Sequence, residues 1–145
     1  MIWRLNLKTS ALNNMTREEL FNYCIENKKV GVGFSRVDTR QDKYPAIFEQ
    51  AQQYDNPTRC VKAVNAIRNM RLDDLIWTRL DGIYYLCKVR ELWRDLIPTD
   101  TDKEYDIPNH VKVDWLKVGT EDTVPGKVIS SFRSPAAVQK VHDVD

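Results

Sequence analysis

The sequence predicts a single α+β domain over residues 1–145, a small mixed β-barrel with short helices around it. Apolar residues recur at strand spacing in some segments and at helix spacing in others, without an internal repeat. The segment from Leu75 to Val89 has the pattern of a β-hairpin that turns at Asp81-Gly82. The composition, with 42% hydrophobic and 30% charged residues, is that of an ordinary globular domain.

The first predicted elements are a strand, a helix and a second strand. Apolar and polar residues alternate from Ile2 to Leu7, as in a half-buried strand. Thr16 followed by Glu19 forms a capping pattern, and the apolar stripe after it predicts a helix over about residues 17–27. Residues 30–34 predict a short strand whose two glycines let another backbone or a ligand come close. That strand is where we first expect a pocket.

Two helices are predicted before the hairpin, and shorter elements are predicted after it. Pro45 opens a second helix that extends to about Tyr54, and a third helix covers about residues 58–70. Composition and turn residues predict the rest: a loop at 93–105, strands at 111–116 and 127–132, and a final helix at 136–141.

Composition excludes several classes of protein. The 22 basic and 21 acidic residues give a net charge of +1, so any contact with nucleic acid has to be local. No run approaches the roughly 20 apolar residues of a membrane helix, and no signal-peptide pattern is present, which predicts a cytoplasmic protein without a membrane partner. Cys24, Cys60 and Cys87 lack paired spacing and are expected to be reduced, buried thiols.

Catalytic and metal-binding patterns are weak, so we expect neither an enzyme nor a cofactor. The two histidines, His110 and His142, have no second metal ligand nearby in sequence. Cys87 lies inside a strand pattern, where packing is the usual role of a thiol. Asp73 and Asp74 are adjacent and would point in opposite directions, so they are expected to shape the entry to the hairpin.

Aromatic residues beside cations are the feature that points to a ligand. Trp77 lies close to Arg79, and Trp93 lies between Arg90 and Arg94. An aromatic ring that stacks on a nucleobase contributes roughly 1–3 kcal/mol, and flanking cations can hold phosphates. The alternative for each ring is core packing, and this alternative weighs more for Trp77 on a central strand than for Trp93 at a strand end.

A resemblance to a known family begins at residue 63. The chain reads A-V-N-A-I-R-N-M-R-L-D-D-L-I-W at 63–77 and I-Y-Y-L-C-K-V-R-E-L-W at 83–93. These segments resemble the EVE and PUA-like (YTH-related) domains, in which A-R-N-x-L-R-x-M-x-x-G-D-x-V leads into a strand, a turn and an I-x-x-I-G-x-V strand. G-V-G-F at 31–34 and V-K-V-D-W at 111–115 are similar to further strands of that family. Asp73 and Cys87 stand where the family often has Gly, so the pocket wall near the hairpin is expected to differ.

The resemblance implies a PUA/EVE-like barrel that reads a modified base in prokaryotic or phage defence. Such readers hold an extruded base between aromatic rings and act with a fused or separate nuclease or NTPase. The implied partner is nucleic acid, modified DNA in preference to RNA, and the chain would be a whole reader or the N-terminal module of a longer protein. The expected base pocket comprises Phe34, Ser35, Asn65, Trp77 and Trp93. For Asn65 the alternative role is to cap local backbone. The expected phosphate contacts are Arg36, Arg79, Arg90 and Arg94.

A competing interpretation is a module that binds a protein or a free nucleotide in the same pocket, and the near-neutral net charge of +1 favours it. A basic rim around the pocket would favour the nucleic-acid reader, whereas an apolar or acidic rim would favour the interaction module. A hydrolase or transferase is a third class, but the sequence offers no nucleophile and base pair for it.

Overall fold

The architecture is α+β, and six strands form one curled mixed sheet that makes half a barrel. The computed structural model describes residues 1–8, 14–34 and 49–142. The strands are β1 Ile2–Leu5, β2 Lys29–Val32, β3 Leu75–Leu80, β4 Ile83–Glu91, β5 Asn109–Gly119 and β6 Val138–Lys140. The helices with defined bounds are α1 Arg17–Glu26, α2 Pro57–Asn69, α3 Asp100–Glu104 and α4 Gly126–Ser131.

The spatial order of the strands is β2-β5-β4-β3-β1-β6. All neighbours are antiparallel except β1 and β3, which run parallel and pair Trp3 with Ile76. Strands β2 and β6 are therefore the two edges of the sheet within the described part of the chain. No helix formed by residues 1–8, 14–34 and 49–142 is long and apolar enough to cross a membrane.

The hairpin of β3 and β4 confirms the strongest prediction from the sequence. Asp81 and Gly82 both have positive φ angles, 51° and 79°, as the tight turn that suits a twisted hairpin requires. Asp73 and Asp74 join its entrance to β4: the Asp73 amide donates to the Val89 carbonyl at 3.0 Å, and the Val89 amide donates to the Asp74 carbonyl at 2.9 Å.

Local capping chemistry fixes the starts of α1 and α2. The Thr16 hydroxyl accepts a hydrogen bond from the Glu19 amide at 3.1 Å, which confirms the predicted N-cap. Asn56 caps α2 in the same way, and Pro57 occupies its first turn. The first residues of the helix predicted from Pro45 to about Tyr54 lie outside the described residues. Of the described residues 49–54, only 49–51 are helical, so the helix ends earlier than predicted.

Two predictions near the C-terminus were wrong, and they were wrong in opposite directions. Residues 127–132, predicted as a strand, belong mostly to helix α4. Residues 136–141, predicted as a helix, contain strand β6, which pairs with β1 through Leu5 and Val138. Both segments are about six residues long, a length at which the apolar pattern alone does not separate the two states. Tertiary packing determines both states. Val128 and Phe132 are buried against the sheet, whereas Val138 lies in the strand at the edge of the sheet.

The segment predicted as a loop at 93–105 contains regular structure. A 3₁₀ turn covers Trp93–Asp95, and α3 follows it. The start of α3 is a capping box in which Thr99 and Asp102 each accept a hydrogen bond from the other's backbone amide. This capping pattern lies in a polar, proline-containing stretch, which is why the segment resembles a loop in the sequence.

The two faces of the sheet carry separate apolar clusters. Ile76 belongs to the main core with Trp3, Phe21 and Ile67, whereas its neighbour Trp77 packs on the other face against residues of β4 and α4. All three cysteines are free and buried, as the sequence predicted.

The close approach expected at the two glycines is made by the protein itself: by strand β5 at Gly31 and by the Asp106 side chain at Gly33. A Cβ placed on Gly31 would lie 2.7 Å from the Cβ of His110 and would also meet the Asn109 carbonyl. Strand β5 therefore fills the space beside Gly31 that the sequence left open to a ligand.

Candidate functional site

Two separate cavities lie along the contact between α2 and β6. We call this pair of cavities the α2–β6 groove, because both elements contribute lining residues to each cavity. The apolar pocket lies towards the start of both elements and is lined by Lys8, Phe34, Arg59, Lys62, Ala63 and residues 135–138. The basic cleft lies towards their ends and is lined by Met1, Trp3, residues 68–72, Asp74, Leu92, Arg94 and Lys140.

The apolar pocket has a volume of about 210 Å³. Its aromatic wall is Phe34, which packs edge-on against Tyr54 with ring centroids 5.2 Å apart. Phe34 has a φ of 64°, an uncommon backbone conformation for a bulky residue. Sites for drug-sized ligands occupy roughly 300–1,000 Å³, so this pocket suits a single ring system.

The rim of the apolar pocket is basic. Lys8 is exposed, and its ammonium group donates to the Pro135 carbonyl at 3.3 Å. Arg59 and Lys62 are exposed in the first two turns of α2, where the positive end of the helix dipole adds to their field. The pocket therefore combines an apolar interior with three cations at its mouth.

The basic cleft has a volume of about 720 Å³ and four cationic side chains in its wall. The Arg68 guanidinium lies 5.3 Å from the centroid of the Trp93 ring, and the Lys140 ammonium lies 5.6 Å from that of Trp3. These contacts hold two of the cations against aromatic surface. Arg71 and Arg94 are exposed.

The one carboxylate of the cleft is already compensated. Asp74 accepts hydrogen bonds from the Trp3 indole and from the Arg71 amide, both at 3.0 Å, and lies 3.2 Å from the amine of Met1. Burial would raise the pKa of Asp74, but these donors outweigh it and lower the pKa below its usual value. Asp74 is thus a structural acceptor that adds little free negative charge.

Charge is segregated along the groove. Among the described residues that line its two cavities, seven are Lys or Arg and one, Asp74, is acidic. The whole chain, in contrast, has 22 basic and 21 acidic residues. Within the described part of the chain, six of these cations form no ion pair: Lys8, Arg59, Lys62, Arg71, Arg94 and Lys140. Most of the positive charge along the groove is thus not compensated by a described carboxylate.

Three residues named from the sequence lie in or beside the groove. Phe34 lines the apolar pocket, and Arg94 lines the basic cleft. Trp93 is buried beneath Arg68. Asn65 lies on α2 and accepts a 3.5 Å hydrogen bond from Arg68, but it lines neither cavity. Ser35 and Arg36 fall outside the described residues.

The other named residues lie elsewhere. Trp77 is buried against Tyr84 and Phe132 on the opposite face of the sheet. Arg79 donates to the Tyr84 hydroxyl at 2.9 Å and lies 4.4 Å from the centroid of the Phe132 ring. Arg90 forms ion pairs with two carboxylates, Asp73 and Asp114, so its charge is compensated.

Sequence reasoning missed most of the groove. The overlooked cations are Lys8, Arg59, Lys62, Arg68, Arg71 and Lys140. A signal for part of them was present, because residues 57–69 contain three cations and no acidic residue. The link to Lys8 and Lys140 comes only from the pairing of β1 with β6.

A second polar site is buried, and its carboxylate is fully paired. We call it the buried carboxylate cluster: Tyr23, Lys29, Asp102 and His110. One oxygen of Asp102 accepts from the Lys29 ammonium and from the Tyr23 hydroxyl, both at 2.7 Å. Its other oxygen accepts from the Thr99 amide at 2.9 Å and lies 3.9 Å from Nε2 of His110.

Burial governs the ionisation of this cluster. Burial would raise the pKa of Asp102, but the hydrogen bonds from Lys29, Thr99 and Tyr23 outweigh it and lower the pKa to about 2. The pKa of His110 is lowered by burial, which the nearby carboxylate only partly offsets. The pKa of Tyr23 is raised to about 12 by burial and by its bond to Asp102.

The buried carboxylate cluster joins three elements. It connects α3 to Tyr23 of α1 and to Lys29 of β2, at the edge of the sheet. Its residues line neither cavity of the groove. In the part of the chain that the structure describes, no three His, Cys, Asp or Glu side chains are grouped as metal ligands.

Comparison of the chain with protein-family models, curated proteins and solved structures gives no match.

Proposed function

We propose that this protein is a nucleic-acid reader that holds an extruded, modified base in the apolar pocket and phosphates along the α2–β6 groove. The observation that carries the proposal is the segregation of charge: seven cations and one compensated carboxylate line the groove of a chain whose net charge is +1. A local field of this kind attracts a polyanion without a basic protein overall. The half-barrel sheet is compatible with an EVE/PUA-like fold.

The apolar pocket suits a base that has left its stack. Its volume of about 210 Å³ matches one ring system, and the Phe34 ring is part of its wall. Unstacking a base costs a few kcal/mol, whereas stacking on an aromatic ring returns roughly 1–3 kcal/mol. Contacts between the rim cations and phosphates would offset the remainder.

The residues proposed to contact phosphates differ in part from those expected from the sequence. Lys8, Arg59 and Lys62 replace Arg79 and Arg90 as phosphate contacts, because the latter two have partners within the protein. Modified DNA is the preferred ligand and RNA the second. The protein binds and does not catalyse, so a fused or separate nuclease or NTPase effector would supply the response.

Fluorescence polarisation tests the proposal. Matched single-stranded DNA oligonucleotides would carry unmodified bases, N6-methyladenine, 5-methylcytosine or 5-hydroxymethylcytosine, at fixed salt. We expect one modification to bind at least about tenfold more tightly, a difference of about 1.4 kcal/mol. Phe34→Ala should abolish this preference. Phe34→Leu keeps an apolar side chain in the wall of the pocket, and it is the control for folding.

A charge variant separates rim contacts from general electrostatics. Arg59→Glu with Lys62→Glu should weaken the binding of every oligonucleotide, because both side chains lie at the mouth of the pocket. Lys117→Glu is the matched control, since Lys117 is exposed on β5 and lines neither cavity. Equal losses in the rim variant and the control, or a modification preference unchanged by Phe34→Ala, would contradict the proposal.

The second candidate is a module that binds a free nucleotide or a partner peptide. The small size and apolar lining of the pocket favour it. Binding of free nucleosides in isothermal calorimetry, with no binding of oligonucleotides, would support this candidate and exclude the reader.

A further inference from the structure

Strand β5 is longer than its neighbour β2, which covers only the first part of it. β2 pairs with residues 109–112 of β5, and the Val113 amide donates to the Lys28 carbonyl at 2.9 Å. Beyond this point β5 continues alongside β4 on one side. Among the described residues, no strand lies against its other side. We call residues 114–118 of β5 the open edge.

The open edge presents backbone hydrogen-bonding groups. In an antiparallel ladder, the backbone groups of every second residue point to the same side. The Val113 amide points towards β2, and the pairing with β4 is regular from Val113 to Lys117. Trp115 and Lys117 therefore point their amide and carbonyl groups outward as well. Such groups are a template for pairing with a further strand.

A row of apolar side chains crosses the sheet to the open edge. Trp77 of β3 pairs with Leu86 of β4, and Leu86 pairs with Leu116 of β5. Trp77 is 7% exposed, whereas Leu116 is 60% exposed. The row thus ends in a leucine that a further strand with an apolar residue at this position would cover.

Two boundaries limit which strand fits the open edge. At one end, β2 begins to cover β5 at Val113. At the other end, β5 finishes at Gly119, which has a φ of 133°. Leu116 is the central residue of the interval 114–118 between them. A second copy of the same edge, turned by a two-fold axis at Leu116, has the length and the antiparallel direction to fill this interval.

We propose that two copies of this chain associate through the open edge, so that their sheets join into one. Trp115 of each copy exchanges backbone hydrogen bonds with Lys117 of the partner subunit. The two Leu116 side chains meet at the axis as a non-hydrogen-bonded pair, the arrangement in which opposite side chains are closest. Each Lys117 ammonium then lies opposite an indole ring and not opposite a like charge, which would destabilise the pair.

This inference is independent of the proposed function. The open edge contributes no lining residue to either cavity of the α2–β6 groove, and β6 lies at the opposite end of the strand order. A dimer joined at β5 therefore leaves both grooves accessible. Because the open edge is short, the interface is small, and we expect a dissociation constant of about 1–100 μM.

Sedimentation velocity of the full chain tests the inference, over protein concentrations from about 1 μM to about 1 mM. We expect the average mass to rise with concentration from 17.0 kDa towards twice this value. An average mass that stays at 17.0 kDa over the whole range would overturn the proposal.

Two charged variants test the register. Leu116→Lys and Leu116→Glu each remove the leucine contact and place like charges opposite each other at the axis, so each should raise the dissociation constant at least about tenfold. A mixture of the two variants should associate at least about fivefold more tightly than either alone, because opposite charges then face each other.

Ile97→Lys is the matched control, since Ile97 is 82% exposed and lies outside the open edge. It should leave the dissociation constant unchanged. If the Leu116 variants dimerise as well as this control, or if mixing them restores nothing, the pairing at Leu116 is wrong.

Hydrogen exchange followed by mass spectrometry distinguishes a second copy from a cover within the chain. The amides of Trp115 and Lys117 should exchange rapidly in dilute protein and more slowly as the concentration rises through the dissociation constant. Strong protection that is independent of concentration would show that another segment of the same chain pairs with the open edge, and it would overturn the proposal.

Discussion

The buried carboxylate cluster and the α2–β6 groove both concentrate charge, but they differ in whether that charge is buried and paired. In the cluster, Asp102 is fully buried, and every oxygen has a donor within 3 Å. In the groove, cations such as Arg71 and Arg94 are exposed and form no ion pair with a described residue. Paired and buried charge holds elements together, whereas unpaired and exposed charge remains accessible at the surface.

The physical reason is the cost of desolvation. A buried charge that loses its partner destabilises a protein by about 3–5 kcal/mol, so such charges must be paired within the fold. An exposed cation keeps its water and contributes little to folding, so it is free to serve binding. The two sites should therefore respond to mutation in different measurements.

The largest expected effect is on the cluster. Asp102→Ala leaves Lys29 buried without its partner at 2.7 Å and removes the capping box of α3. We expect the free energy of unfolding to fall by about 3–5 kcal/mol. Urea denaturation followed by circular dichroism measures it. Asp100→Ala is the control, because Asp100 is exposed in the same helix and should cost no more than about 1 kcal/mol. If both variants lost the same free energy of unfolding, the buried ion pair would not be the reason for the loss in Asp102→Ala.

The pH dependence of stability is the next effect. Because the pKa of Asp102 is about 2 in the fold and about 3.9 when unfolded, its ionised form contributes about 2 kcal/mol above pH 4. That stability is lost as the pH falls from about 4 to about 2. The pKa of His110 lies below 6.5 in the fold, so acid also destabilises the protein from about pH 6.5 downward.

Two variants assign the two steps of the pH profile. Asp102→Asn should remove the lower step, and His110→Gln should flatten the decline that begins near pH 6.5. Thermal melting followed between pH 2 and 8 measures both. A lower step that persists in Asp102→Asn would mean that other carboxylates dominate acid unfolding.

The smallest expected effect on stability is in the groove. Arg71→Ala and Arg94→Ala should each change the free energy of unfolding by no more than about 0.5 kcal/mol, because both side chains are exposed and unpaired among the described residues. The same variants should weaken oligonucleotide binding and its salt dependence. A loss of stability above about 2 kcal/mol would show that these arginines serve the fold.

Local signals in the sequence determined the elements that depend on neighbours along the chain. The β3–β4 hairpin follows from Asp81-Gly82 and from alternating apolar residues, and α1 follows from its cap at Thr16. These features depend on only a few adjacent residues, so they can be predicted from the sequence. The α+β class and the three buried thiols could be predicted for the same reason.

Only the tertiary structure decided which residues meet across the fold. Strand β6 exists because β1 offers it an edge, and its pairing brings Lys140 opposite Trp3 at the basic cleft. Asp102 reads in sequence as one acidic residue of a polar stretch, yet its contact with Lys29 spans 73 positions. Charge compensation and groove formation are properties of distances in space, and a periodic pattern along the chain does not encode them.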